Sequence, residues 1–514
     1  MGPKDTILIL DFGSQYTQLI ARKIREEGVY SEIHPHTFPL ERVKETAPKG
    51  IVLSGGPTSV YDDGAPRVDD ALFELDVPIL GVCYGLQLMS LKLGGVVSPA
   101  ENREYGKALV RLVGKSPILQ GVSEETTVWM SHGDLVEKPP EGYKTVGVSD
   151  NSPHAVVADD ANKRYGLQFH PEVTHTVEGK TILRNFLFDV CGCAGDWTPA
   201  SFVEEAVEKI RAQAPEGNVI LGLSGGVDST VAAGLLERAL GDRLHCIHVD
   251  NGLMRLNESA QIVEEMRRSF PDMRLRFVDA SENFLRALEG VEDPEEKRKI
   301  IGREFIEAFD REAEKIPDVR YLAQGTLYPD VIESVSVKGK SRTIKSHHNV
   351  GGLPEKMKLG LIEPLRELFK DEVRRVGRDL NAPESLIRRH PFPGPGLAVR
   401  VLGEITEERL EALRRADDAY IRAIKDAGIY DEIWQAFAVL LPVRTVGVMG
   451  DARTYENVIA LRAVVSIDGM TADWYRHDNE FLAEVSNKII NSVKGVNRVV
   501  YDVSSKPPST IEWE

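Results

Sequence analysis

The sequence predicts an α/β protein: two doubly wound, mostly parallel sheets followed by a smaller α+β region. Three observations carry that expectation. Short apolar runs alternate with stretches of helical spacing from residue 7 to about residue 395, the pattern of parallel sheets covered on both faces. Two of those runs, 77–82 and 218–223, pass through glycine turns directly into helical spacing. From about residue 397 the alternation stops, and long strand-like runs follow a charged helix. A chain of 514 residues is also too long for one core at ~150 residues per domain. The boundaries that fit are 1–195, 196–395 and 396–514.

In the first region Ile7-Leu8-Ile9-Leu10 reads as a strand, 15–27 as a helix and Gly50-Ile51-Val52-Leu53 as a second strand. The run 77–82 then meets Gly81-Val82-Cys83-Tyr84-Gly85, the cysteine version of a nucleophile elbow. Flanking glycines permit a sharp turn that presents the sulfur at a helix N-terminus, where a thiolate is favoured. A free thiol with a pKa of about 8.5 is mostly protonated at neutral pH, so a base helps. Gln168-Phe169-His170-Pro171-Glu172 supplies one. In an extended segment His170 and Glu172 share a face, so the carboxylate can orient the imidazole. Ser54-Gly55-Gly56-Pro57 can offer backbone N–H groups to a developing oxyanion. Taken singly, these are an inert thiol, a surface histidine and a turn; together they point to acyl transfer. The short runs 127–130 and 155–158 read as further strands.

Gly195-Asp196-Trp197-Thr198-Pro199 reads as a linker with Thr198 capping a helix that begins at Pro199. The apolar run 218–223 then leads into Ser224-Gly225-Gly226-Val227-Asp228-Ser229-Thr230 and a helix to about residue 240. Glycines let the backbone turn its N–H groups inward at a helix N-terminus, a seat for a polyphosphate. Ser224, Ser229 and Thr230 can donate hydroxyls, and Asp228 can help hold the accompanying Mg2+. The spacing and lysine of a Walker loop are missing. Farther on come a strand over 244–249, Asp250-Asn251-Gly252, and Gln324-Gly325-Thr326-Leu327-Tyr328-Pro329-Asp330. Residues 335–360 show no period but hold Lys345, His347 and His348. So long a basic, glycine-bearing loop suits phosphate contact, and no third ligand spacing favours a metal. His390-Pro391-Phe392-Pro393-Gly394-Pro395-Gly396-Leu397 is a stiff hinge or a binding rim.

The third region opens on a charged helix over 407–427, followed by strand-like runs over 439–448 and 457–467. A helix over 471–492 and a strand over 498–503 come next. The tail Lys506-Pro507-Pro508-Ser509-Thr510-Ile511-Glu512-Trp513-Glu514 carries prolines and apolar residues, so it reads as docked rather than frayed. A net charge of −17 argues against nucleic-acid and anionic-membrane binding. Four cysteines do not make a disulfide framework. With no apolar run of membrane-spanning length, the expectation is a cytoplasmic protein.

The elbow, the 168–172 segment and the 54–57 turn resemble the class I glutamine amidotransferase family. That resemblance implies Cys83 as nucleophile, His170 as proton relay and Glu172 as its orienting acid. It also implies oxyanion N–H groups from Gly56 and Tyr84, and a glutamine pocket lined by Gln87, Ser131 and His132. The 224–229 loop resembles that of the ATP pyrophosphatases. By that likeness ATP also meets Val227, Val249, Asp250, Gly252, Gln324 and Gly325. As a set, with I-K-S-H-H-N-V-G-G-L-P, H-P-F-P-G-P-G-L and the tail, the motifs resemble the glutamine-hydrolysing GMP synthetase family. This implies three substrates, ATP, glutamine and xanthosine monophosphate (XMP), with Mg2+ accompanying the ATP. The residues it implies near XMP or the reacting phosphates are Arg303, Asp330, Lys345, His347, His348, Gln435, Arg498, Lys506, Ile511 and Glu512. It also implies a homodimer paired through the third region. Another adenylating amidotransferase shares the phosphate loop, and a nucleotide-sensing scaffold is expected to lose Cys83, His170 or Asp228. All three are present.

Overall fold

The computed structural model describes residues 5–336, 359–449, 452–466, 469 and 471–514, and the chain divides into one unit over 1–201 and another over 202–514. Among the described residues the first unit carries a nine-stranded sheet. Its strands are β1 (Thr6–Asp11), β2 (Tyr30–Pro35), β3 (Gly50–Leu53), β4 (Ile79–Val82), β5 (Val96–Leu112), β6 (Glu125–Lys138), β7 (Lys144–Val148), β8 (Val156–Asp159) and β9 (Arg164–Leu167). They lie in the order β2-β1-β3-β4-β9-β8-β7-β5-β6. The first five pair in parallel, and the other four pair antiparallel. The parallel half is the expected doubly wound sheet. Its strands read as continuous apolar runs because both faces are covered: Ile7, Leu8, Ile51, Val52, Ile79 and Leu80 are fully buried. The antiparallel extension follows from short connections, since the few residues between β8 and β9 allow only a hairpin. Strand order reverses between β1 and β3, and the site described below lies at the strand C-termini beside that point.

The second unit holds an all-parallel, five-stranded sheet among its described residues, in the order β12-β11-β10-β13-β14. These strands are β10 (Asn218–Gly222), β11 (Leu244–Asp250), β12 (Arg274–Asp279), β13 (Val319–Ala323) and β14 (Gly360–Ile362). Order reverses between β10 and β13, so the loop leaving β10 opens at the switch point. A third sheet is built on a long antiparallel hairpin of β15 (Gln435–Met449) and β16 (Ala452–Val465). It is extended by β17 (Asp473–Trp474) and by β18 (Val496–Tyr501), which runs parallel to β16.

Two helix starts show local physics at work. Pro199 opens the helix Pro199–Gln213, where Thr198 Oγ1 accepts from Ser201 N at 3.1 Å, as the cap motif predicts. The helix expected over 471–492 begins only at Asn479. Asp473 and Trp474 pair with Val465 and Val464 instead, and the Asp478 carboxylate caps Glu480 N at 3.0 Å. One hydrophobic cluster joins Ile220, Ile247, Phe309 and Leu322 with Leu413, Tyr420, Ile459 and Leu461. The second sheet and the third therefore share a core.

Candidate active sites

At the end of β4 the chain turns so sharply that Cys83 has φ 51°. A non-glycine residue there is strained, and such strain persists only where the surroundings enforce it. They do. A Cβ on Gly85 would stand 2.2 Å from Leu53 O, and one on Gly81 2.7 Å from Gly85 C. Cys83 N donates to Leu167 O at 2.7 Å, and Gly85 N to Ser54 O at 3.0 Å. The thiol sits at the start of the helix Tyr84–Lys92, so the Tyr84 amide has no intrahelical acceptor. Gly56 packs closely beside it, leaving an added Cβ 3.1 Å from Tyr84 Cγ.

His170 is buried. Its Nδ1 donates to Glu172 Oε1 at 2.7 Å, and Glu172 is fully buried. The segment is fastened to β6: His170 N donates to Trp129 O, and Thr176 Oγ1 donates to His170 O while accepting from Trp129 N. Tyr16 packs edge-on against the imidazole at 5.0 Å. Burial depresses the His170 pKa, but Glu172 and Cys83 outweigh it and hold the imidazole well above its ordinary value.

Ser131 O faces the Cys83 Sγ at 3.5 Å, and Gln87 Nε2 donates to Asp134 O at 2.8 Å. His132 turns into the body of the domain and pairs with Glu104 at 3.1 Å. Sequence reasoning missed Gln168 Nε2, which lies 3.8 Å from the same sulfur. It stood in the quoted segment, with nothing local to mark its aim.

The second site begins at the end of β10. Gly225 has φ +74°, and Ser224 Oγ lies 3.0 Å from Ser229 Oγ and accepts from Gly226 N at 3.3 Å. Val227 and Asp228 open the helix Val227–Leu240. Thr230 is buried, and its hydroxyl has no partner. Gly325, following Gln324 at the end of β13, packs on Asp228 so tightly that a Cβ would lie 3.3 Å from its carbonyl carbon. Buried Val249 and half-buried Asp250 end β11, and Asp250 Oδ1 accepts from Gly252 N at 2.9 Å. Two cations at this loop went unread in the sequence. Lys370 Nζ stands 3.3 Å from Asp228 Oδ2, and Arg389 donates to Gly225 O at 2.8 Å while pairing with Glu258 at 2.6 Å.

The residues expected near XMP separate into groups. Gln435 Nε2 donates to Glu512 Oε1 at 2.8 Å and to Pro391 O at 3.0 Å. Arg400, unmarked by any motif, grips Glu512 through two bonds at 2.8 and 3.0 Å. Ile511 is buried beside Phe437 and Val439. Phe392 lies among three guanidinium groups, those of Arg255, Arg389 and Arg400. Lys506 Nζ donates to Gly469 O at 2.8 Å, and Asp330 accepts from Leu327 N. Arg303 and Arg498 are exposed and donate to Glu304 and Thr445. Lys345, His347 and His348 lie outside the described residues.

Comparison with known proteins covers the chain from end to end. The class-I glutamine amidotransferase family model matches residues 8–190, the NAD synthase model 199–267 and the GMP synthase C-terminal domain model 422–513. Among curated relatives, the glutamine-hydrolysing GMP synthase of Aquifex aeolicus is 58% identical over 508 residues, covering 99% of both chains. That of Maridesulfovibrio salexigens is 58% identical over 516 residues and 100% of both. That of Brachyspira hyodysenteriae is 56% identical over 510 residues and 99% of both.

Proposed function

The chain belongs to the glutamine-hydrolysing GMP synthases, and on that premise we propose which of its residues carry each half of the reaction. The enzyme takes ammonia from glutamine, adenylates XMP with ATP and aminates it to GMP, releasing AMP and pyrophosphate.

In the first half, Cys83 Sγ attacks the glutamine side-chain carbonyl. The amides of Gly56 and Tyr84 receive the oxyanion. His170 hands its proton to the departing ammonia, and Glu172 holds the imidazole in register. Water then cleaves the thioester to glutamate. The observation that carries this reading is the enforced turn at Cys83, set against the buried His170–Glu172 pair.

In the second half the 224–230 loop takes the polyphosphate of ATP, with Lys370 beside it. Asp228 Oδ1 is buried without a partner, and no cluster of three or more His, Cys, Asp or Glu among the described residues could hold a metal alone. Asp228 would hold the Mg2+ ion that accompanies ATP. When bound, such an ion supplies positive charge against the departing pyrophosphate. The XMP carbonyl oxygen at C2 attacks the α-phosphorus, pyrophosphate leaves, and ammonia then displaces AMP from C2. The cluster of Gln435, Arg400, Glu512 and Phe392, tied to the loop through Arg389, supports an XMP site at the tail.

Two variants test the division. Cys83→Ala loses glutamine-driven synthesis and keeps ammonia-driven synthesis, whereas Asp228→Asn loses AMP formation with either nitrogen source. Equal loss from both donors in Cys83→Ala, or retained ATP turnover in Asp228→Asn, would overturn it.

The outer half of the β15–β16 hairpin exposes Val443, Val446, Val448 and Tyr455. Exposed apolar side chains together on one hairpin support a homodimer formed through it. Four free cysteines, all buried, suit a reducing cytoplasm; recovery of the enzyme in a membrane or extracellular fraction would refute that. Among the described residues no helix is long and apolar enough to cross a membrane.

A further inference from the structure

β5 and β6 pair out of step beside the reacting sulfur. Pro99 pairs with Asp134, and the next pair is Glu104 with His132. Four residues of one strand, 100–103, therefore stand opposite the single Gly133 of the other. A ladder broken this way leaves the backbone between the pairs unsupported. The break falls between Asp134, whose O accepts from Gln87, and the His132–Ser131 step, whose Ser131 O faces Cys83 Sγ.

The first pair after the break is polar and buried, with the His132 and Glu104 side chains 1% and 7% exposed. His132 Nε2 donates to Glu104 Oε2 at 3.1 Å, Ser152 Oγ to the same oxygen at 2.8 Å and Ser149 Oγ to Oε1 at 3.0 Å. Burial pushes the Glu104 pKa up, but His132, Ser152 and Ser149 outweigh it and leave the carboxyl below its ordinary value. A buried pair of this kind is weak evidence for stability, since apolar residues of similar volume often serve as well. Its directional bonds can do what apolar packing does not: fix one register at a break in the ladder.

We propose that Glu104 and His132 are positioning residues for glutamine hydrolysis, holding the 131–134 backbone at the distance from Cys83 that the glutamine side chain requires. The proposal rests on Cys83 being the nucleophile.

Glu104→Gln is the informative change. A glutamine side chain keeps the shape but offers one acceptor oxygen to three donors and turns an NH2 group toward one of them. The test measures alkylation of Cys83 in the full-length enzyme by two probes: a diazoketone analogue of glutamine, which must fit the pocket, and iodoacetamide, which need not. Glu104→Gln is expected to slow the diazoketone by about tenfold and to raise the KM for glutamine. The iodoacetamide rate and ammonia-driven synthesis remain at wild-type levels. Unchanged diazoketone alkylation, or an equal fall with both probes, overturns the proposal. Should Glu104→Gln fail to fold, Ser149→Ala with Ser152→Ala carries the same test, with the same sign expected. Cys83→Ala is the control: diazoketone labelling that survives it refutes the nucleophile itself, a failure distinct from that of the positioning pair.

Discussion

The Glu172 carboxylate meets His170 Nδ1 at 2.7 Å inside the proposed glutaminase site. Burial alone would favour the neutral ring, and the Glu172 carboxylate at 2.7 Å is the largest influence opposing it. Because the pKa is raised, His170 on the proposed mechanism keeps the proton needed by departing ammonia below that pKa and loses it as pH rises through it. Glu172→Gln removes the carboxylate charge and leaves Cys83 alone to oppose burial. The alkaline limb of the kcat profile for glutamine hydrolysis is therefore expected to move to lower pH. A limb that stays in place or moves upward would show that Glu172 does not set the charge of His170. The pairing itself was legible in the sequence, since residues two apart on an extended segment share a face. Gln168 and Lys370 were not, because their partners lie 85 and 142 residues away.

At the scale of elements, the C-terminal tail serves as counter-ion to the interior. Lys297 is fully buried and reaches the carboxylate of Glu514 at 2.9 Å. Arg400 is fully buried on Glu512, and Arg462, fully buried too, donates to the carbonyls of Thr510 and Ile511. Deleting the tail would leave Arg400 without its counter-ion and take the Glu514 carboxylate from Lys297 at a large cost, so truncation cannot isolate a binding role. Glu512→Gln keeps the shape and one acceptor. It is expected to weaken XMP binding by about 1.5–3 kcal/mol, the range for a hydrogen bond to a charged group. Basal glutamine hydrolysis at Cys83 persists. Calorimetric titration of XMP is the measurement, and unchanged affinity in a folded variant would remove Glu512 from the site. A docked tail was readable from its prolines and apolar residues. Which buried cations it neutralises was not, because Lys297 and Arg400 lie 217 and 112 residues from the carboxylates they meet.

At the scale of the whole molecule, the outer half of the β15–β16 hairpin asks for a partner. Val448 is 76% exposed and Tyr455 59%, and in the proposed homodimer a second copy of this chain would cover that face symmetrically. Val446→Glu with Val448→Glu places charge in that patch; sedimentation is expected to show a dimeric wild type and a monomeric double variant. A monomeric wild type, or a double variant of undiminished mass, would refute the hairpin interface. The sequence by itself determined the doubly wound sheets, the elbow at Cys83, the phosphate loop at 224–230 and the change of architecture after residue 397. Each is written in local periodicity and glycine placement, which act within a few residues. Only the tertiary structure decided that nine strands share the first sheet, that β5 and β6 pair out of step beside Cys83, and that helix formation waits until Asn479. It alone gave Arg389, Arg400 and Lys370 their partners. Strand pairing and buried charge depend on contacts between residues far apart in the chain, and no local pattern records which distant group will satisfy them.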